Sequence, residues 1–413
     1  MNEARLQCVS CKKEYALDTI QVRCDCDGLL QVIHPQGTAL TAAMLDQRLL
    51  SQDIADRSGV WRFREQVAPL PEASRVSLQE GRTGLYRSPK LCHWAQHELL
   101  EFKHEGENLT GSFKDRGMTV AVSQAKHLGQ NLLACASTGN TSAALAAYAA
   151  HGGMTALIFV PKGKVSLNKL TQAFAYGARC VEVDGDFDVA MQHVVEAAER
   201  RLVYLVNSLN PFRLEGQKTI IWDMLQQRSW QAPDWIVVPG GNLGNTSAFG
   251  KALREAHANG WITKQPKIAV VQAEGASPFF KSFQQQFSNF SPMQANTIAS
   301  AIQIGNPVNF SKAKDAVTST QGLVYAVPDE AIMTAKQQID AAGIGCEPAS
   351  ACTLAGVRDL RHQQIIKEHE EVVCVLTGHL LKDTDTTYQH LQTQGRTQVI
   401  SYQGDMDALL ASL

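Results

Sequence analysis

The chain has 413 residues, 44% of them hydrophobic and 19% charged, which is an ordinary composition for globular proteins and enough for two or three domains. Its formal net charge of −2 gives no electrostatic basis for binding nucleic acid or an anionic membrane. No apolar run approaches the roughly 20 residues that span a bilayer, and no apolar core follows the first residues, so we expect a cytoplasmic protein without a secretory signal.

Four of the ten cysteines precede residue 30 and form two tight pairs, Cys8 with Cys11 and Cys24 with Cys26. Each pair can place two thiolates on one side of a turn, and two such turns make the tetrahedral site that zinc favours. The second pair has only one intervening residue, so four reduced thiols without a metal are the alternative. We therefore expect a zinc-ribbon-like segment over residues 1–35, which would hold a structural Zn in the metal-binding interpretation.

Residues 36–80 are predicted to form a helical connector. The proline-rich stretch Ala68–Pro71 is a plausible boundary near its end. The main body of the protein is predicted to begin at residue 81.

From about residue 98, short apolar runs alternate with longer segments of helical periodicity. Predicted strands lie at 99–103, 132–136, 155–160, 180–183, 203–206, 235–238, 268–271 and 372–376. Predicted helices lie at 118–125, 141–150, 166–176, 189–198 and 216–225. Strands that alternate with helices form parallel β/α units, so the fold class is α/β. No element is predicted between residues 290 and 322.

One lysine, Lys114, lies between a loop rich in Gly, Ser and Thr and the start of a predicted helix. A lysine held there loses its proton easily, because burial disfavours the charged ammonium. The neutral amine can attack a carbonyl and form a Schiff base. The alternative is a solvated lysine that pairs with Asp115 or Glu107.

Four predicted strands end in small polar loops, at residues 137–141, 207–213, 239–246 and 377–379. Ligands of open parallel sheets bind beyond the carboxyl ends of the strands, so these loops are expected to face one crevice. A shared crevice would bring their hydroxyl, amide and backbone N–H groups to a single ligand.

The loop at 240–245 has three glycines in its first five residues and leads into a helix predicted near Thr246. Glycines let the backbone approach a ligand, and a helix N-terminus offers free amides to a phosphate. The loop lacks the Gly-Lys-Ser/Thr of a P-loop and the glycine spacing of the dinucleotide fingerprint. The alternative is a plain glycine-rich turn.

Two further groups could bind anions. Residues 137–141 open a helix, so their hydroxyls and amides could hold a carboxylate, although an ordinary N-cap by Ser137 or Asn140 is equally consistent. Arg213 could clamp a second anion, although a surface ion pair is the more common role of a lone arginine. A lysine, a phosphate cradle, a carboxylate site and the Thr377 hydroxyl are what a pyridoxal phosphate enzyme requires.

These blocks resemble the β-family, or fold type II, of pyridoxal phosphate enzymes, and within it the branch that acts on O-phospho-L-homoserine. The resemblance covers about residues 80–385. The blocks that carry it are Asn108–Gly117, Ser137–Thr141, Asn207–Lys218, Gly240–Asn245, Ala301–Pro307, Cys346–Ala351 and Thr377–Gly378.

The resemblance implies two open parallel-sheet α/β domains of the tryptophan synthase β kind. The catalytic core would span 81–413, with a small subdomain at about 111–206 inserted in a larger one. Lys114 would carry the cofactor aldehyde and move protons. The implied cofactor-binding residues are Lys114, Asn140, Gly240, Gly241, Asn242, Leu243, Gly244, Asn245 and Thr377. The implied substrate-binding residues are Ser137, Thr138, Asn140, Thr141, Asn207, Ser208, Arg213 and Asn242.

The implied reaction is γ-elimination of phosphate followed by addition of water at Cβ, which gives L-threonine. The alternatives are a cysteate synthase that acts on O-phosphoserine and sulfite, and a threonine or serine dehydratase, which needs no second anion clamp. A ligand-sensing or interaction protein on the same fold is the non-enzymatic alternative. The resemblance also implies a homodimer, by analogy alone.

Overall fold

The computed structural model describes residues 3–35, 40–163 and 167–397, with only the backbone described at 167–169. The structure does not describe residues 1–2 of the predicted N-terminal segment, residues 36–39 at the start of the predicted connector, Ser166 of one predicted helix or residues 398–413 at the end of the predicted core. Within the described ranges, no helix is both long enough and apolar enough to cross a membrane.

The strands, numbered in chain order, are β1 Arg5–Cys8, β2 Glu14–Ala16, β3 Leu30–Ile33, β4 Leu85–Tyr86, β5 Leu100–His104, β6 Leu132–Ala136, β7 Thr155–Pro161, β8 Arg179–Val183, β9 Tyr204–Leu205, β10 Trp235–Pro239, β11 Lys267–Ala273, β12 Leu323–Val327 and β13 Val372–Leu376.

The α-helices are α1 Ala42–Arg48, α2 Ile54–Arg57, α3 Arg64–Val67, α4 Pro89–Ala95, α5 Lys114–His127, α6 Asn140–Gly152, α7 Leu167–Ala175, α8 Phe187–Glu199, α9 Pro211–Gln227, α10 Gly244–Ala258, α11 Pro278–Gln284, α12 Phe310–Ser319, α13 Asp329–Ala341, α14 Pro348–His362 and α15 Thr384–Thr393. Short 3-10 helices lie at Trp61–Phe63, Glu72–Ser74, Glu105–Glu107, Glu274–Ala276, Ser300–Ile302 and Leu380–Lys382.

Two parallel sheets form the main body. One has six strands in the order β12-β11-β10-β13-β5-β4, and only β4 runs antiparallel to its neighbour. The other has four parallel strands in the order β8-β7-β6-β9. Every residue of β10 and β13 is buried, as expected for parallel strands covered by helices on both faces. The carboxyl ends of strands from both sheets supply the polar loops.

The chain leaves the six-stranded sheet after β5, builds the four-stranded sheet, and returns at β10. All eight predicted strands are confirmed to within two residues at each end. Strands β4 and β12 and the three N-terminal strands were not predicted. The predicted domain boundaries, at residues 35 and 80 and at about 111–206, stay predictions.

Helix α9 begins at Pro211, five residues before the predicted start at Gly216. Asn210 caps it by accepting a hydrogen bond from the backbone N–H of Phe212 at 2.9 Å, and Pro211 occupies the first turn, where a missing N–H costs nothing. Arg213, predicted in a loop, therefore lies in the first turn of a helix.

Helices α5 and α9 pack closely because glycines face each other where they cross. A Cβ on Gly216 would lie 1.8 Å from the carbonyl oxygen of Arg116, and a Cβ on Gly117 would lie 3.0 Å from that of Arg213. The close approach brings the N-termini of the two helices, which carry Lys114 and Arg213, to one place.

The N-terminal strands form a three-stranded antiparallel sheet in the order β2-β1-β3. Strand β3 docks on the main body through lysines. Lys251 of α10 donates to the carbonyl oxygen of Val32 at 2.6 Å, and Lys312 of α12 donates to that of Leu30 at 2.7 Å. The cysteine-bearing segment is thereby held against two helices of the main body.

Candidate active site

Lys114 is the first residue of α5. The lysine is half-buried, and its Nζ lies 4.1 Å from the ring centroid of Phe113. Burial, together with the nearby Arg213 guanidinium, lowers the pKa of Lys114 to about 7, although Glu347 opposes the change. A lysine with this pKa is substantially neutral at physiological pH and can act as a nucleophile or a base.

The two carboxylates that could have neutralised Lys114 bind elsewhere. Asp115 accepts hydrogen bonds from the backbone N–H of Thr110 at 2.9 Å and from the Thr110 hydroxyl, so it shapes the loop before the lysine. Glu107 accepts from the backbone N–H of Gly84 and from the Tyr86 hydroxyl. The structure therefore excludes the ion-pair interpretation of Lys114 with either residue.

The lysine loop is hydrogen-bonded to the loop that follows β13. The backbone N–H of Phe113 donates to the carbonyl oxygen of Thr377 at 2.9 Å, and Ser112 and Gly378 form an isolated β-bridge. Thr377 itself is buried. These contacts hold the backbone of Thr377 against the loop that precedes the lysine.

Glu347, which the sequence analysis assigned no role, joins two of the predicted cofactor ligands. The Asn140 side-chain amide donates to Glu347 Oε2 at 2.9 Å, and the Thr377 hydroxyl donates to Glu347 Oε1 at 3.2 Å. Burial raises the pKa of the Glu347 carboxyl, although these two hydrogen bonds oppose the change. Glu347 directly precedes α14 and belongs to the block Cys346–Ala351. Membership of that block was the only feature of the sequence that pointed to a role for Glu347.

The loop at 240–245 has the shape expected of a cradle. A Cβ on Gly240 would lie 2.7 Å from the Val270 side chain, and Leu243 has a φ of 61°, a left-handed conformation that leucine rarely adopts. No side chain caps α10, which begins at Gly244. Among the described residues, the buried hydroxyl of Thr246 has no hydrogen-bond partner. An anion at this helix end would satisfy both the free amides and that hydroxyl.

The loop at 137–141 also leaves a helix end free. Gly139 is the N-cap of α6, and no side chain caps it, so the N-cap interpretation of Ser137 or Asn140 was wrong. The Ser137 hydroxyl accepts from the backbone N–H of Gly139 at 3.3 Å instead. Thr138 and Asn140 are half-buried, and Thr141 is buried in the first turn of α6.

Arg213 is 2% exposed, so it is not the surface residue of the alternative interpretation. Its Nη1 donates to the carbonyl oxygen of Val206 at 2.8 Å, while its Nε has no partner. No carboxylate pairs with it anywhere in the described part of the chain. Burial lowers the pKa of Arg213 to about 10. A buried guanidinium without a counter-ion is costly, and a bound anion removes that cost.

Asn309, another residue without a predicted role, links the two loops expected to bind anions. Its side-chain amide donates to the carbonyl oxygens of Ser208 at 3.2 Å and Asn242 at 3.4 Å. The preceding residue, Val308, donates its N–H to Asn242 Oδ1 at 3.3 Å. Asn207 exchanges two hydrogen bonds with the backbone of Ala136, at 3.0 and 2.9 Å, and so fixes the loop after β9 to the end of β6.

The two cysteine pairs come together as predicted. Cys8 Sγ lies 3.6 Å from Cys26 Sγ, Cys11 Sγ lies 3.5 Å from Cys24 Sγ, and all four sulfurs lie within 4.8 Å of one another. These separations approach the edge of about 3.8 Å that a tetrahedron with Zn–S distances of about 2.3 Å requires. None of the four is in a disulfide.

Comparison with known proteins is consistent with this geometry. A family model described as "Pyridoxal-phosphate dependent enzyme" matches residues 76–378. The chain is 45% identical over 381 residues to a threonine synthase of Methanocaldococcus jannaschii, covering 92% of this chain and 93% of that protein. It is 42% identical over 384 residues to a threonine synthase of Methanosarcina acetivorans, covering 92% and 93%.

The fold also matches solved structures. That of threonine synthase from Escherichia coli superposes with a TM-score of 0.71 at 19% identity, covering 96% of this chain and 92% of that one. At this identity the likeness concerns the fold alone. The predicted fold class, α/β with the parallel sheets of fold type II, is confirmed.

Proposed function

The chain belongs to the pyridoxal-phosphate dependent enzymes, and to the threonine synthases among them, and from this premise we propose that its crevice converts O-phospho-L-homoserine and water into L-threonine and phosphate. The enzyme is a lyase that removes phosphate from Cγ and then adds water at Cβ. The polar loops after β6, β9, β10 and β13 supply the binding groups.

The observation that carries the proposal is the unpaired guanidinium of Arg213. The positive charge of Arg213 lowers the pKa of Lys114, so the nucleophile and the cation share one crevice. A buried cation of this kind is suited to an anion that arrives with the substrate, and a planar fork of N–H groups suits a phosphate. A dehydratase substrate carries no second anion, so Arg213 favours a phosphorylated substrate.

The residues present fit pyridoxal phosphate. The uncapped start of α10 and the partnerless Thr246 hydroxyl suit the cofactor phosphate, and a Cβ at Gly240 would clash with Val270. Lys114, with its lowered pKa, would hold the cofactor through its aldehyde. Asn140 and Thr377 offer groups for the ring hydroxyl and the ring nitrogen. When bound, the cofactor supplies an electron sink that stabilises negative charge at the substrate carbons.

The residues of the chain orient the substrate and move its protons. The free amides and hydroxyls of 137–141 would bind the α-carboxylate, as an uncapped helix start does. Asn207, Ser208, Arg213 and Asn242 would hold the phosphate. Lys114, with a pKa of about 7, can take a proton from carbon and return it, because its two protonation states are close in free energy at neutral pH.

The test is an assay of the purified enzyme loaded with cofactor. O-phospho-L-homoserine should give phosphate and L-threonine in equal amounts. O-phosphoserine with sulfite is the comparison, and preferred turnover of that pair would show a cysteate synthase instead. Release of ammonia from threonine or serine at a comparable rate would show a dehydratase. Absence of turnover with every substrate would support a non-enzymatic protein.

We also propose that Cys8, Cys11, Cys24 and Cys26 bind a structural zinc ion. The sulfur separations support this, and so does Gly28, where a Cβ would lie 2.6 Å from Cys8 Sγ. Elemental analysis of the protein purified without chelator should find about one zinc per chain. A Cys11→Ser, Cys26→Ser variant that keeps the same zinc content would contradict the site. The homodimer and the cytoplasmic location stay predictions from the sequence.

A further inference from the structure

Strand β3 of the N-terminal sheet, with the residue that follows it, contacts three helices of the main body near the start of each helix. The contacting side chains are the fifth residue of α9, the eighth of α10 and the third of α12, namely Glu215, Lys251 and Lys312. Each makes its contact with β3 or with His34 at 2.6 or 2.7 Å. One strand is therefore bonded to the starts of three helices.

Apolar packing reinforces these contacts. Leu30 and Val32 of β3 are completely buried and belong to one hydrophobic cluster with Phe212, Leu214 and Leu243. Phe212 and Leu214 are the two neighbours of Arg213 in α9, which contacts β3 directly, and Leu243 lies in the glycine loop before α10. The core that β3 shares with the main body therefore reaches the segments that carry the predicted phosphate ligands.

Two of the three helix starts lead to the predicted site of the substrate phosphate. Arg213 lies two residues before the α9 contact. On α12, Lys312 is three residues after Asn309, whose side-chain amide donates to the carbonyl oxygens of Ser208 and Asn242. Binding groups must be held within about 0.5 Å of their working positions. A shift of either helix start relative to β3 would therefore disturb the anion site.

We propose that the N-terminal sheet positions the site of the substrate phosphate, with Lys312 and His34 as its positioning residues. Docking of β3 sets the separation of the helix starts that carry Arg213 and Asn309. Both positioning residues act through these helices and not by contact with the substrate. The proposal rests on the proposed function, since it takes Arg213 and the adjoining loops as the phosphate site. It gives the N-terminal segment a part in substrate binding.

The experiment measures the binding of inorganic phosphate to the full-length, cofactor-loaded enzyme by isothermal titration calorimetry. Lys312→Met removes the donor to Leu30 and keeps an apolar side chain of similar length. The dissociation constant for phosphate should rise about 3- to 10-fold, the factor that corresponds to one hydrogen bond. KM for O-phospho-L-homoserine should rise by a similar factor. Cofactor affinity should change less, because Lys251 still joins α10 to β3.

His34→Leu tests the same inference on a different helix. It removes the contact with Glu215 and leaves Lys312 in place. Glu215 keeps Lys218 and Lys251 as partners, so this variant should fold even if Lys312→Met does not. Its dissociation constant for phosphate should rise in the same direction.

Gln124→Met is the matched control. Gln124 of α5 donates to the carbonyl oxygen of Leu17 at 3.0 Å, so it too joins the N-terminal segment to the main body by a side-chain bond to a backbone oxygen. It lies ten residues after Lys114, towards the other end of its helix. Gln124→Met should lower the midpoint of urea unfolding, as the other two variants do, and leave the dissociation constant for phosphate unchanged.

The outcomes separate the two ways in which the inference can fail. Natural phosphate affinity in both Lys312→Met and His34→Leu, with weakened affinity in Arg213→Met, overturns the positioning role and leaves the phosphate site intact. Equal weakening in Gln124→Met also overturns it, because docking would then act only through overall stability. Natural phosphate affinity in Arg213→Met shows that Arg213 does not hold phosphate, which contradicts that part of the proposed function.

Discussion

The crevice and the docking site of the N-terminal segment both contain buried cations, but the two regions differ in whether those cations form ion pairs. The docking site contains what we call the ribbon cluster: His34, Glu215, Lys218, Lys251 and Glu255. Glu215 Oε2 lies 2.6 Å from both Lys218 Nζ and His34 Nε2, its Oε1 bonds to Lys251, and Lys218 also reaches Glu255 at 2.7 Å. Each charged group of this cluster has an opposite charge in contact, whereas Lys312 of the same docking site bonds to the carbonyl oxygen of Leu30.

The crevice holds Lys114 and Arg213, and Glu347 is the carboxyl whose charge acts on Lys114. Neither cation forms an ion pair within the described residues. Although burial opposes the change, Lys218 and Lys251 hold the pKa of Glu215 well below its usual range. Burial lowers the pKa of Lys114 and Arg213 in the crevice, as it lowers that of Lys218 in the cluster. Two contacting carboxylates, Glu215 and Glu255, oppose the change for Lys218, whereas Glu347 alone opposes it for Lys114. Paired buried charges secure the structure, whereas unpaired ones are suited to a ligand.

The largest effect is expected from Lys114→Ala. Turnover should fall by about 10,000-fold, the upper end of what one proton-transfer group supplies, which corresponds to about 5.4 kcal/mol. The visible absorbance of the bound cofactor should disappear. Lys126→Ala, at an exposed position on the same helix, is the control and should keep both. A Lys114→Ala protein with full turnover and an unchanged spectrum would refute the assignment.

Glu215→Ala should have the next largest effect, on stability. It removes the carboxylate that contacts His34, Lys218 and Lys251, and it leaves the two lysines with Glu255 alone. Breaking a buried ion pair costs about 3–5 kcal/mol. We expect the midpoint of urea unfolding to fall accordingly. Glu255→Ala, which leaves Glu215 in place, should lower it much less.

Arg213→Met extends the comparison, because it replaces an unpaired buried cation by an apolar side chain of similar length. Its urea midpoint should stay the same or rise. If Arg213→Met lowered the urea midpoint as much as Glu215→Ala, the unpaired cation of the crevice would be as important for stability as the paired charges of the docking site, and the contrast would fail.

Arg213→Ala should act on substrate binding. A hydrogen bond to a charged group contributes about 1.5–3 kcal/mol, so KM for O-phospho-L-homoserine should rise about 10- to 100-fold. Cofactor affinity, titrated by absorbance, should change far less. Arg213→Lys keeps the charge but not the planar fork and should give an intermediate KM. Loss of cofactor as the main defect would make Arg213 a structural residue instead.

Much of the crevice could be predicted from the sequence because its parts are contiguous. The lysine loop, the 137–141 loop and the glycine loop each combine a strand end, a turn and a helix start within about ten residues, so their local signals are complete. The carboxyl-end rule for parallel sheets then places them together without any knowledge of long-range contacts. Their roles in binding stay predictions. The structure shows the lysine loop bonded to the loop after β13, and the 137–141 loop joined to that same loop through Glu347.

The parts that could not be predicted depend on distant pairs. The hydrogen bond between Asn140 and Glu347 spans 207 residues, and that between His34 and Glu215 spans 181. No periodicity or local motif reports such a pair. The early start of α9 is different, because Asn210 and Pro211 form a recognisable N-terminal signal that the predicted start at Gly216 did not use.

The smallest effect concerns the pH at which the apoenzyme captures its cofactor. Attack on the aldehyde requires the neutral amine, and Lys114 has a pKa of about 7. The rate constant for capture should therefore fall about tenfold for each pH unit below that value and level off above it, whereas an ordinary lysine would still be gaining rate near its usual pKa of about 10.4. Stopped-flow absorbance of apoenzyme mixed with pyridoxal phosphate measures this profile.

The inflection of that profile should move in opposite directions in two variants. Arg213→Met removes a positive charge that lowers the pKa of Lys114, so the inflection should rise. Glu347→Gln removes a negative charge that raises it, so the inflection should fall. Lys126→Ala should leave it in place. Equal inflections in all four proteins would mean that burial alone sets the pKa of the lysine, and the charges of the crevice would then serve only its ligands.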